Sequence, residues 1–173
     1  MKRFLLAAFL LSSSIGFTAC ASSAGKQRAT ADFTGAWSID LCNEADPKIP
    51  CGAFDLYLHQ DNDGRICGEH FVATPGLGRL DESDPATVLG TVSQGVAVVV
   101  IRSTRNDALY MARLSLIGDR LHWERVGMIV KGVNDEPPII PGIKTLARAR
   151  VKEKLQYQQD IVSSPCEWPE WGP

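Results

Sequence analysis

The chain has 173 residues, 18 basic against 20 acidic side chains, and 45% hydrophobic residues. That length and apolar content suit one domain with its own core. The near-even charge carries no basic stripe, which argues against a nucleic-acid binder.

Lys2-Arg3 opens the chain, followed by an apolar run from Phe4 to Leu11 and then by Phe17-Thr18-Ala19-Cys20. A basic start stays on the cytoplasmic side of a membrane while the apolar run enters it. The run is too short to span a bilayer as a helix, so residues 1–19 read as a cleaved export signal. The last four residues resemble the lipobox of bacterial lipoproteins, with Phe17 where Leu, Val or Ile is usual. The resemblance implies a lipid on Cys20 and attachment to a membrane through it. Ala21 and Ser22 follow, with no Asp at the second position, which by the same resemblance implies an outer-membrane lipoprotein facing the periplasm. A cut after Ala21 or Ala24 would instead release a soluble periplasmic or secreted protein. Residues 20–31 then form the anchor and a polar tether, and residues 32–173 form the folded domain.

The chain holds five cysteines. With Cys20 lipidated or removed, Cys42, Cys51, Cys67 and Cys166 remain, an even number in an exported protein. Three pairings are open. Cys42 and Cys51 flank one polar loop and can close it locally, which leaves Cys67 to pin the C-terminal segment through Cys166. A zinc site is the rival, but no C-x-x-C pair is present and export disfavours free thiolates.

The body reads as mainly β: an antiparallel up-and-down barrel or curved sheet of about eight strands, followed by a C-terminal helix. The first strand is expected over Phe33 to Leu41. Phe54 to Gln60 and Arg65 to Ala73 form a hairpin around Asp61-Asn62-Asp63-Gly64. Thr87 to Ser93 and Val96 to Ser103 flank Gln94-Gly95. Leu109 to Ile117 and Arg120 to Val130 flank Gly118-Asp119. An eighth strand is expected at Ile143 to Arg150, after the Pro-rich loop Glu136 to Gly142. Lys152 to Val162 reads as the helix, ending at Ser163-Ser164-Pro165.

Alternation assigns the faces. Phe54, Leu56 and Leu58 share one side. With Asp63-Gly64 as the hairpin turn, Cys67, Glu69 and Phe71 oppose them on that side. In the last hairpin Leu114 and Leu116 oppose Leu121 and Trp123, and Arg125 is next. Glu69 and Arg125 are thus expected to point inward. Isolated buried charges are costly, so the two should pair or sit at a wet mouth. With Trp123 they are the candidate ligand contacts; a structural ion pair is the plainer alternative.

Phe33-Thr34-Gly35-Ala36-Trp37 resembles the G-x-W opening of the first strand in calycin barrels, the lipocalins and avidin-like proteins. The resemblance implies that Trp37 closes one end of a barrel, under an arginine from near the last strand, for which Arg148 and Arg150 are available. It covers the strand count along the chain but only about five residues by motif.

Other candidate sites fail on their own chemistry. Asp61-x-Asp63-Gly64 hints at a calcium loop, but His59 stands where the first Asp belongs and no Glu closes it. His59 and His70 are expected on the outer face with Asp55 and Tyr57, as solvated strand residues rather than a metal patch. Gly76-Leu77-Gly78-Arg79 lacks the following helix that phosphate binding needs. The tail Cys166-Glu167-Trp168-Pro169-Glu170-Trp171-Gly172-Pro173 reads as packing against the barrel, with a contact surface as the alternative. No cofactor, metal or nucleophile with its base is evident, and the chain does not read as an enzyme. Two functions remain: an exported binding module for an apolar or amphipathic ligand, and a periplasmic inhibitor or immunity lipoprotein that binds a cell-envelope hydrolase.

Overall fold

A computed structural model describes residues 31–82, 87–134, 136–149 and Cys166. It contains nine strands: β1 (Gly35–Leu41), β2 (Gly52–Gln60), β3 (Arg65–Ala73), β4 (Leu80–Glu82), β5 (Val88–Ser93), β6 (Val96–Arg102), β7 (Leu109–Ile117), β8 (Arg120–Val130) and β9 (Ile143–Arg148). Every pairing is antiparallel, and the ladder runs β1-β2-β3-β5-β6-β7-β8-β9 and back to β1. Eight strands therefore close a barrel, which removes the open edges of a sheet. The ninth, β4, is extra. It lies along Phe71–Ala73 of β3, while the start of β3 pairs with β5. The sequence offered no signal for β4, because three residues reading Leu-Asp-Glu are too few to show alternation. The helix expected over Lys152 to Val162 lies outside the described residues, among which no α-helix occurs.

The first hairpin corrects one register. Its turn is not a two-residue Asp63-Gly64 turn. Gly64 N–H bonds to Asp61 O at 3.0 Å, Asp61 N–H bonds to Arg65 O at 2.9 Å, and Gly64 has φ +82°. This is a three-residue loop, with Gly64 in the left-handed position that follows the turn. The added residue shifts the register by one, so Gln60 faces Ile66 and Leu56 faces His70. A one-residue slip exchanges the faces of a strand. Ile66, His70 and Val72 therefore point inward, whereas Cys67, Glu69 and Phe71 lie on the outer face with Asp55, Tyr57 and His59. The inward placement of Glu69 and the outward placement of His70 are both reversed.

The barrel interior is filled. Phe54, Leu56, Leu58, Ile66, Val99, Leu114, Leu121, Trp123 and Leu146 are all completely buried. Phe54 and Trp123 meet edge to face, with ring centroids 5.1 Å apart.

One end is closed by Trp37. Its indole N–H donates to Phe33 O at 3.0 Å. The Arg148 guanidinium lies 4.3 Å from the ring centroid and donates to Thr34 O at 3.0 Å. Gly35 explains the spacing of the motif. It sits at φ +140°, and a Cβ there would stand 2.6 Å from Arg148 Nη1. Only glycine lets the cation close over the tryptophan.

Candidate functional site

The other end of the barrel gathers the start of β7, the end of β8 and the loop 136–142 that leads into β9. Three prolines, Pro137, Pro138 and Pro141, leave this loop short of N–H donors, and its carbonyls are met by side chains from the rim. Arg125 Nη1 donates to Ile140 O at 2.8 Å, and the Arg125 backbone N–H donates to Gly142 O at 2.7 Å. Trp123 Nε1 donates to Pro141 O at 3.0 Å. Arg79 reaches Pro137 O at 3.3 Å, and Arg105 forms an ion pair with Glu136 at 2.6 Å. Held in this way, Ile140 is 2% exposed and joins the core. Ile140 is a plug at this end, as Trp37 is at the other.

Arg125 thus points inward, as alternation requires, and sits half-buried at the mouth. Glu69 is not its partner. It faces Tyr57 across the outer side of the β2–β3 ladder and is nearly buried there. Arg125 instead lies over the Tyr110 ring, 5.3 Å from the centroid. Burial lifts the Tyr110 hydroxyl above its ordinary value, against the pull of the Arg125 charge. Trp123 is a core residue whose only polar atom is spent on Pro141. Of the three candidate ligand contacts, then, the mouth retains Arg125 alone.

Outside the plug is a groove of about 380 Å³, lined by Tyr110, Arg125, Met128, Lys131, Glu136 and Pro138 among others. It has an apolar floor beside a guanidinium with no carboxylate partner among the described residues. Such a groove suits an anionic group flanked by apolar surface. Lys144 pairs in register with Trp123 and so shares the inward face of the barrel wall, outside the residues that line the groove. The sequence signal was available, since Lys144 alternates with Leu146, but the strand was too short to make its faces plain.

Comparison with protein-family models, with curated proteins and with solved structures finds no match.

A second polar cluster is structural. Asp81, on the extra strand β4, accepts from Ser103 Oγ at 2.6 Å and from the Thr104 N–H and hydroxyl, each at 2.9 Å. His70 Nε2 lies 3.5 Å from Asp81, and His70 Nδ1 is 2.8 Å from Thr87 Oγ1. The hydroxyl–imidazole–carboxylate order resembles a catalytic relay. The His70 and Asp81 side chains are wholly buried and Thr87 is 7% exposed. Burial opposes the Asp81 charge, but the His70, Ser103 and Thr104 contacts outweigh it and hold the carboxyl at about 2. The cluster is a clasp joining β3, β4 and the β6–β7 turn.

The remaining candidates resolve simply. Arg65 pairs with Asp61 at 3.3 Å and with Asp63 at 2.8 Å, so one guanidinium ties both carboxylates of the turn together. Hydrogen bonding from the Arg65 amide and side chain keeps the Asp63 carboxyl below its ordinary range. Among the described residues no group of three or more His, Cys, Asp or Glu side chains is placed to hold a metal. Both disulfides, Cys42–Cys51 and Cys67–Cys166, are formed, with Cα separations of 4.2 and 5.3 Å. Cys20 and the tail beyond Cys166 lie outside the described residues.

Proposed function

We propose that this chain is an exported, lipid-anchored β-barrel that binds a protein of the cell envelope at its plugged rim, as an inhibitor or immunity protein for a wall hydrolase would. The export and anchor parts rest on the signal-like start and on Cys20. The rim is supported by one observation above the rest: the barrel is stoppered at both ends, by Trp37 under Arg148 and by Ile140 under Arg125. A module with a filled interior has to recognise its partner from outside. The arginine-fastened loop 136–142 and the end of β8 then offer the contact surface, with Arg125 as the charged anchor. Arginine and aromatic side chains at a groove are typical energetic centres of such contacts.

A photoreactive amino acid placed at Met128, on the rim, and separately at Ile117, at the opposite end, tests this in intact cells. A discrete protein adduct from position 128, with none from 117, is the expected result. Adducts from 117 alone, or none from 128 at any expression level, would reject rim binding. A second reading is a small amphipathic ligand in the groove itself, favoured by the Tyr110–Arg125 pair and by a volume within the range of small-molecule sites. An adduct with a low-mass ligand rather than a protein would select it.

A further inference from the structure

Among the described residues, the end of β8 leaves a stretch of strand edge unpaired. β9 pairs with β8 only as far as Glu124↔Ile143, with one further bond from the Arg125 N–H to Gly142 O. At Gly142 the incoming chain turns away to seat Ile140. From Val126 to Val130, β8 therefore has β7 on one side and no strand among the described residues on the other. Two register shifts against β7, near Val126 and Ile129, twist this stretch. Its side chains are apolar and open: Val126 and Met128 are each 54% exposed, Ile129 53% and Val130 45%. Ile143, at the point where β9 stops, is 64% exposed. Exposed strand edges in stable proteins are normally short, charged or covered. This one continues a barrel strand, carries no charge over five residues, and lies at the groove that contains Arg125.

Within the rim-binding reading, on which this inference rests, we propose that the free edge of β8 between Val126 and Val130 accepts an extended segment of the partner protein as an added strand. That segment carries an acidic side chain that meets Arg125. It would continue the ladder from where β9 leaves it. Main-chain hydrogen bonds would supply the affinity, and alternate side chains the selection. Apolar residues of the segment would cover Val126, Met128 and Ile143. The choice of an acidic residue follows from charge. Arg125 has no carboxylate among its contacts, and the one acidic group lining the groove, Glu136, is already paired with Arg105 at 2.6 Å. Lys131 lies on the same groove.

The test uses the full chain and three synthetic probes. The first is an acidic peptide of about seven residues, a usual strand length, with alternating Val and Thr and one central Glu. The second has Lys in place of Glu. The third is the Glu peptide N-methylated at alternate amides, so that it cannot join a ladder. Binding is followed by backbone chemical shifts and by amide exchange over residues 126–130. The Glu peptide should slow exchange in that stretch. The Lys and N-methyl peptides should each bind at least about ten-fold more weakly, the size of one lost charge-assisted or ladder contact. Arg125→Gln should remove the preference for Glu over Lys while leaving the N-methyl effect. Equal binding of the N-methylated and plain peptides would overturn strand addition, whatever the cross-linking at Met128 gives. Protection of residues 126–130 that is indifferent to Glu or Lys would overturn the acidic assignment. A protein adduct at Met128 together with no binding of any peptide would leave rim binding standing and reject the added strand.

Discussion

Trp37 and Arg148 show how a few residues set one end of the molecule. The indole is fully buried, its N–H is satisfied by Phe33 O, and its face carries the Arg148 cation. Trp37→Ala should therefore cost about 3–5 kcal/mol, as other buried aromatic truncations do. An unchanged denaturant midpoint would show that the end is not closed by this side chain. Asp81 makes a second prediction at this scale, concerning pH. Its carboxyl is held at about 2, below the ordinary 3.8. The folded state thus prefers the carboxylate, and the stabilisation is complete above about pH 4 and lost as pH falls through 2. A shift of this size corresponds to about 2 kcal/mol. Asp81→Asn should be destabilised at pH 7, and the gap from the parent chain should narrow steadily between pH 4 and pH 2. Urea melts across that range check it; a gap that stays constant to pH 2 would mean that the ionised form contributes nothing.

At the scale of elements, the strands were legible because apolar alternation and turn residues agree along most of the chain. All eight expected strands begin and end within two residues of their observed bounds. The failures have physical causes. Asp63-Gly64 favours a two-residue turn in the first hairpin, and only the bonds at Asp61, Gly64 and Arg65 show the longer loop. That single residue moved Glu69 out of the interior and His70 into it. The Ile140 plug was hidden for another reason: a Pro-rich segment has no periodicity, and its burial depends on donors from Arg125 and Trp123, far from it in sequence. The disulfides couple elements too. Cys42–Cys51 closes a separation of 9 residues and Cys67–Cys166 one of 99. By loop-closure entropy the long bond should contribute about 2 kcal/mol more than the short one. Paired Cys→Ser variants, each bond removed in turn, check this by thermal unfolding; an equal loss from both would contradict it.

For the whole molecule, the barrel was readable from patterning, whereas the site was readable only in part. Arg125 followed from alternation. What surrounds it did not, because the groove is made by a loop and by a strand end that share no pattern. The anchor belongs to this scale as well. If Cys20 carries lipid, Cys20→Ser should abolish the lipid mass while both disulfides form as before. Mass spectrometry of the membrane fraction decides it, and an unmodified N-terminus at Ser22 or Gly25 would indicate a soluble exported protein. On the proposed function the interior is a sealed core and the partner is recognised outside it. The most direct measurement is a titration of the full chain with an apolar naphthylamine fluorophore, followed by the probe's emission and by quenching of the core tryptophans. A sealed core gives no saturable enhancement and no quenching of Trp123. Stoichiometric uptake with quenching of Trp123, abolished by Leu114→Trp as a filler of the interior, would contradict it and make the barrel a carrier.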